Sequence, residues 1–131
     1  MVQPVIITEN FARRPGGRGL FYLAAGPEDG PLVMLVHGWP ELAISWQNQL
    51  LALGGLGFRV VAPDMPGYGR SWTSREVEDY RTENIVAEMR FLLGALGRDA
   101  AVWIGHDMGS PIVWSILVSA IARLLPASAG A

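Results

Sequence analysis

The chain has 131 residues, with 12 acidic side chains against ten arginines and no lysine, giving a net charge of -2. That length suits one domain, and the near-even charge balance excludes the basic surface a nucleic-acid partner requires. Cysteine is absent, which excludes disulfides and thiolate chemistry, and a chain that is 50% hydrophobic and 17% charged is too apolar to be disordered.

The first ten residues lack a basic stretch ahead of their short apolar run, so no secretory signal is expected. The longest apolar stretch, Ile112 to Ala122, is broken by Ser115 and Ser119 and falls short of the roughly 20 residues a membrane span needs. A cytoplasmic protein with no membrane partner is the expectation.

Val5 to Glu9 and Gly19 to Ala25 read as two short strands around the turn Pro15-Gly16-Gly17. After the turn signals of Gly26 to Pro31, the unbroken apolar run Leu32 to Val36 suits a strand buried on both faces of a parallel sheet. A helix is expected after His37-Gly38-Trp39-Pro40, with Ser45 as its N-cap and Gly54, Gly55 and Gly57 ending it. Phe58 to Ala62 is the next strand, and Pro63 to Ser71 a loop. Thr82 is expected to cap a second helix, whose Ile85, Val86, Met89, Leu92, Leu93 and Leu96 keep helical spacing until Gly97. Ala101 to Ile104 reads as a buried strand. Met108 to Leu125 reads as a helix that tolerates Pro111 in its first turn. Strands alternating with helices predict an α/β fold, with a parallel sheet and flanking helices.

The informative segment is Gly105-His106-Asp107-Met108-Gly109, between a buried strand and an apolar helix. It has the Gly-x-nucleophile-x-Gly form of a strand-to-helix elbow, with aspartate at the centre. Such a turn crowds the positions two before and two after the central residue, which explains Gly105 and Gly109. It also lifts the central side chain to the C-terminal edge of the sheet, where ligands sit in α/β folds. A carboxylate there is already ionised at neutral pH, and its natural target is a strained or activated sp3 carbon, an epoxide or a carbon–halogen bond. The alternative is that Asp107 only caps the helix. His37-Gly38-Trp39-Pro40 is the place from which an oxyanion hole would take a second N–H, so the candidate donors are the amides of Met108 and Trp39; the alternative is an ordinary Gly-Pro turn. Asp64 to Ser71 reads as a tight structural loop.

In order and spacing, His37-Gly38-Trp39-Pro40-Glu41, the loop Asp64 to Ser71 and Gly105 to Gly109 resemble the α/β-hydrolase superfamily, specifically its epoxide hydrolases. The resemblance runs from about Val5 to Trp114, with the motif-bearing region at 31–125. It implies that Asp107 is the alkylation nucleophile, that Trp39 and Met108 supply the oxyanion hole, and that His37, Gly38, Pro40, Gly105 and Gly109 are structural parts of the motifs. The implied partner is a small apolar epoxide; no cofactor and no metal are implied. In that family Asp opens the epoxide while two cap tyrosines protonate its oxygen, and a late histidine oriented by an acid then hydrolyses the ester. Met108 stands where related enzymes place Trp, and Trp39 where dehalogenases often have Asn, which disfavours a haloalkane dehalogenase.

The sequence offers two histidines, His37 in the loop motif and His106 beside Asp107, the latter expected to be packed with its side chain diverging from the aspartate. Tyr22, Tyr68 and Tyr80 precede the elbow, so none matches a cap tyrosine. Trp103 and Trp114 are expected in the core. The charge-poor tail ending Pro126-Ala127-Ser128-Ala129-Gly130-Ala131 departs from the family. Residues 1–131 are therefore expected to form a partial α/β-hydrolase core without its cap, ended by a frameshift or truncated gene model, with an open apolar strand edge that favours self-association. The competing function is a non-catalytic fragment or pseudoenzyme.

Overall fold

The computed structural model describes residues 4–125, so the alanine-rich tail lies outside the described residues. Strands β1 (Thr8–Ala12) and β2 (Leu20–Ala25) flank the Pro15-Gly16-Gly17 turn. A connection this short allows only antiparallel pairing, because parallel neighbours need a crossover of about a dozen residues. Thr8 accordingly sits opposite Ala24 and Ala12 opposite Leu20. Strand β3 (Leu32–Val36) pairs in parallel with β4 (Arg59–Pro63), the two being joined through a 3-10 turn at Ala43–Trp46 and helix α1 (Gln47–Gly55). Helix α2 (Thr82–Ala95) leads to β5 (Val102–Gly105), parallel to β3 on its other side, and helix α3 (Gly109–Leu124) follows. Because β2 also runs antiparallel to β4, the order β1-β2-β4-β3-β5 makes a mixed sheet, with the parallel part formed by β4, β3 and β5.

Alternation along the strands fills two apolar layers. Leu32, Met34 and Val36 of β3 face Ile85, Met89 and Leu92 of α2 and Ile116 of α3, whereas Val33 and Leu35 face Leu50 of α1. Both faces of β3 are thus covered, which is why it reads as a continuous apolar run.

Five local expectations are corrected. The first strand is displaced from Val5–Glu9 to Thr8–Ala12: Val5 and Ile7 are partly buried against the α1 layer, but the ladder with β2 begins at Thr8. Ser45 does not cap α1; it lies in the 3-10 turn, where its Oγ accepts the Leu42 N–H at 3.3 Å. Thr82 is the first residue of α2 and the N-cap is Arg81, which makes no side-chain capping bond. Finally, β5 is not buried: it is the last strand in the sheet order among the described residues, with Val102 58% exposed, and Trp114 on α3 is 68% exposed. Trp103 does pack against the α2/α3 layer.

Candidate active site

Two loops meet at the C-terminal edge of the sheet because β3 and β5 are neighbours. Their register places Val36 opposite Gly105, so the residues after each strand emerge side by side, and the His106 N–H donates to the Val36 carbonyl at 3.2 Å. The chain then reverses at Asp107, whose φ of 55° is the one left-handed non-glycine conformation among the described residues. Such a conformation costs on the order of 1–3 kcal/mol and persists only where its surroundings hold it. Here the Gly109 N–H bonds the His106 carbonyl at 2.8 Å and the Ser110 N–H bonds the Asp107 carbonyl at 3.0 Å.

The two elbow glycines stand where a side chain would meet backbone. A Cβ on Gly105 would lie 2.6 Å from the Gly109 carbonyl oxygen, and one on Gly109 would lie 2.2 Å from the Val36 oxygen. Gly38 has a different neighbour: its Cβ would meet Asp107 Cβ at 2.5 Å and Oδ2 at 2.7 Å, so a side chain there would displace the carboxylate itself.

The Asp107 carboxylate does not cap α3, whose N-cap is Met108 without a side-chain bond. Instead Oδ2 accepts the Trp39 N–H at 3.1 Å across 68 residues of sequence. The backbone amides of Trp39 and Met108, and then the nearby His106, hold the carboxyl below its usual pKa, so it is ionised at neutral pH. Trp39 precedes Pro40 through a cis peptide, and the Trp39 and Met108 side chains are both exposed.

His37 is a bridge between loops. Its Nδ1 bonds the Gly38 carbonyl at 2.8 Å, which a ring N–H must donate, and its Nε2 accepts the Met65 N–H at 3.0 Å. This pattern fits the neutral ring, and burial lowers its pKa accordingly. Asp64 ties down the third motif: its carboxylate accepts the Ala43 N–H at 2.8 Å and the Arg70 N–H at 3.1 Å.

His106 is corrected. Rather than packing inside, its side chain is 65% exposed, and Nδ1 bonds Glu41 Oε1 at 3.0 Å. Glu41 was singled out only as part of a motif; no sequence spacing links positions 65 residues apart, so the contact became visible only in three dimensions. A cavity of about 550 Å3, lined by His37, Trp39, Tyr68, Tyr80, Met108 and Ile112 among others, opens beside the two residues whose amides face Asp107, although the aspartate itself is not part of its wall. Its size is that of a small-molecule site. Tyr68 and Tyr80 in its wall are residues sequence order had set aside. The Tyr80 hydroxyl accepts the Ser74 N–H at 2.6 Å and donates to the Ser74 carbonyl at 2.9 Å, whereas the Tyr68 ring stands edge-on to His37 at 4.9 Å. Among the described residues no group of three or more His, Asp or Glu could hold a metal ion, and no helix is long and apolar enough to cross a membrane.

A sheet with helices on both faces and a tight strand-to-helix elbow, with a carboxylate lying where a Cβ on Gly38 would sit, define an α/β-hydrolase type of fold. The family model described as alpha/beta hydrolase fold matches residues 31–120, and the chain belongs to that family. It is epoxide hydrolase-like: it is 42% identical over 108 residues to epoxide hydrolase A of Mycobacterium tuberculosis (strain ATCC 25618 / H37Rv), covering 82% of this chain and 33% of that protein. The crystal structure of epoxide hydrolase A from Mycobacterium thermoresistibile superposes with a TM-score of 0.80 at 39% identity, over 85% of this chain and 34% of that one. A thioesterase domain from the curacin biosynthetic pathway also superposes, with a TM-score of 0.78 at 30% identity, over 87% of this chain and 40% of its own. The chain thus spans about a third of the length of its mycobacterial relative. Since the fold also carries thioesterase chemistry, the reaction has to be argued from the site.

Proposed function

We propose that this chain opens small apolar epoxides, with Asp107 attacking a ring carbon to form an alkyl-enzyme ester. The observation that carries the reading is an ionised aspartate at φ 55° with one carboxylate oxygen on the Trp39 amide. The Trp39 amide holds one oxygen and leaves the other to attack in line, and together with the Met108 amide it serves as the oxyanion hole. A carboxylate needs no base to become a nucleophile, so this half-reaction asks little of the rest of the site. The ring oxygen leaves as an alkoxide and takes a proton from solvent, so the ester carries the full mass of the epoxide.

The second half-reaction needs a general base within reach of the ester. Of the two histidines in the sequence, His37 has both ring nitrogens engaged, with Gly38 and Met65, and His106 is paired with Glu41. His37 could act only by giving up a loop bond, whereas His106 has Nδ1 alone engaged. In our reading the His106 ring serves the Glu41 contact and not the ester, so residues 1–131 are a partial hydrolase core in which the ester accumulates instead of turning over. Turnover that is lost in His106→Gln would show otherwise. A cytoplasmic location belongs to the same reading. Incubation with a terminal epoxide followed by intact-mass measurement tests it: one stoichiometric adduct, absent in Asp107→Ala, is expected. No adduct on the folded chain would favour the non-catalytic reading, and full turnover would show that a base had been overlooked.

A further inference from the structure

We propose that Glu41 and His106 form a latch that sets the Trp39 amide against Asp107, making Glu41 a positioning residue; its effect on reactivity rests on the epoxide-opening reading. The residues 38–41 form a tight turn closed by the Glu41 N–H on the Gly38 carbonyl at 3.0 Å. The Glu41 side chain closes the same turn a second time, with Oε1 accepting the Gly38 N–H at 3.1 Å. The same oxygen meets His106 Nδ1 at 3.0 Å, on the residue immediately before Asp107. One carboxylate oxygen therefore joins the loop that carries Trp39 to the elbow that carries the aspartate.

The consequence is geometric. Gly38 and Trp39 offer two successive amide donors near one carboxylate, and a Cβ on Gly38 would already collide with Asp107. Glu41 occupies the Gly38 N–H, so the Trp39 N–H is the donor from this loop that reaches Oδ2. The His106 ring is also seated edge-on to Trp46, with centroids 6.5 Å apart, which limits its swing. Glu41 supports the arrangement electrostatically: its bond to His106, then the Gly38 amide, lowers its own pKa, so it is the charged form that holds the latch at neutral pH. The pair is too exposed to act as a stability device, since such ion pairs contribute little to folding. Its effect is on position.

Glu41→Ala, Glu41→Gln and His106→Gln in the 131-residue chain separate the possibilities. The first readout, the NMR titration of the Asp107 carboxyl, needs no substrate. The titratable groups around the site are His106 on the elbow, Glu41 and His37 on the facing loop, and Asp64 beside His37. Removing the Glu41 anion by itself would lower the Asp107 pKa further, whereas loss of the Trp39 amide bond raises it. The latch predicts a rise in Glu41→Ala, with faster exchange of the Gly38 amide, and restoration of both in Glu41→Gln, which keeps the acceptor without the charge. The second readout is the rate of adduct formation with a terminal epoxide, expected to fall at least about 10-fold in Glu41→Ala, within the roughly 100-fold that misplacing a reacting group can cost, and to recover in Glu41→Gln. An Asp107 pKa that falls in Glu41→Ala, or unchanged Gly38 exchange, overturns the proposal. If the parent forms no adduct, the epoxide reading fails while the titration still decides the latch.

Discussion

Gly109→Ala tests whether close approach of helix and strand builds the elbow. The added Cβ would lie 2.2 Å from the Val36 carbonyl oxygen and 2.9 Å from that of His37, where ordinary contact begins at 3.4 Å. Both obstacles are backbone, in β3 and the loop that follows it, so neither can rotate aside. The start of α3 must retreat by about 1 Å, and close-packed interiors resist such a shift. Overpacking typically costs about 1–3 kcal/mol, and backbone on the opposing side places this case near the top, about 3 kcal/mol. For a chain of this length that lowers the thermal midpoint by about 10 °C. Gly94→Ala in α2 is the matched control: nothing lies within 4 Å of its added Cβ, and alanine should gain about 0.5–1 kcal/mol in a helix. Differential scanning calorimetry on the three chains decides it. A Gly109→Ala midpoint indistinguishable from the parent's would refute the reasoning, and so would a Gly94→Ala chain that melts at lower temperature.

Acidification should destabilise the fold in two stages. Burial lowers the His37 pKa, so the unfolded chain binds its proton first and stability falls as pH drops below about 6.5, the ordinary histidine value. Asp107 and Asp79 are also lowered, so the small contributions of these solvent-accessible groups are present above the ordinary carboxylate range and are lost below it. Urea midpoints between pH 8 and 3 measure both stages, and His37→Gln should flatten only the upper one. Glu88 is buried, accepts the Trp72 indole N–H at 3.1 Å and meets Arg14 at 2.6 Å. Glu88→Ala strands that indole donor and should cost about 1–3 kcal/mol in urea unfolding; a neutral result would contradict the assignment. The exposed edge strand β5 and the apolar face of α3, with Val102, Trp114, Val118 and Leu124 open to solvent, lead us to propose self-association between copies of the chain. Sedimentation should show a concentration-dependent rise in mass that Trp114→Glu reduces; a single monomeric species at all concentrations would count against it.

The strands β2 to β5 were legible in the sequence to within a residue or so because each is a short apolar run between turn signals, and β3 most clearly because both its faces are covered. The antiparallel edge was implicit in the brevity of the Pro15-Gly16-Gly17 connection, but alternation with helices pointed to a parallel sheet. Val5 and Ile7 misled because apolar spacing reports burial, whereas strand bounds follow backbone pairing. Trp114 misled for the converse reason: apolar spacing on α3 does not say whether anything lies against that face. At the site, the turn at Gly105 to Gly109 was legible in its glycine spacing, and motif form alone offered the Trp39 and Met108 amides as candidate donors. The Glu41–His106 contact was not legible, because it depends on the register of β3 and β5, which sets two loop positions side by side. Tyr68 and Tyr80 were set aside by chain order, and only the folding of the Asp64–Ser71 loop over His37 brings them to the cavity wall.

The most direct test of the account is to locate the covalent bond. After exposure of the chain to a terminal epoxide, digestion and tandem mass spectrometry should place the full mass of the epoxide on the carboxylate of Asp107, and Asp107→Asn should carry none. Modification of His106 or of scattered carboxylates at equal rates, with Asp107 left untouched, would contradict it.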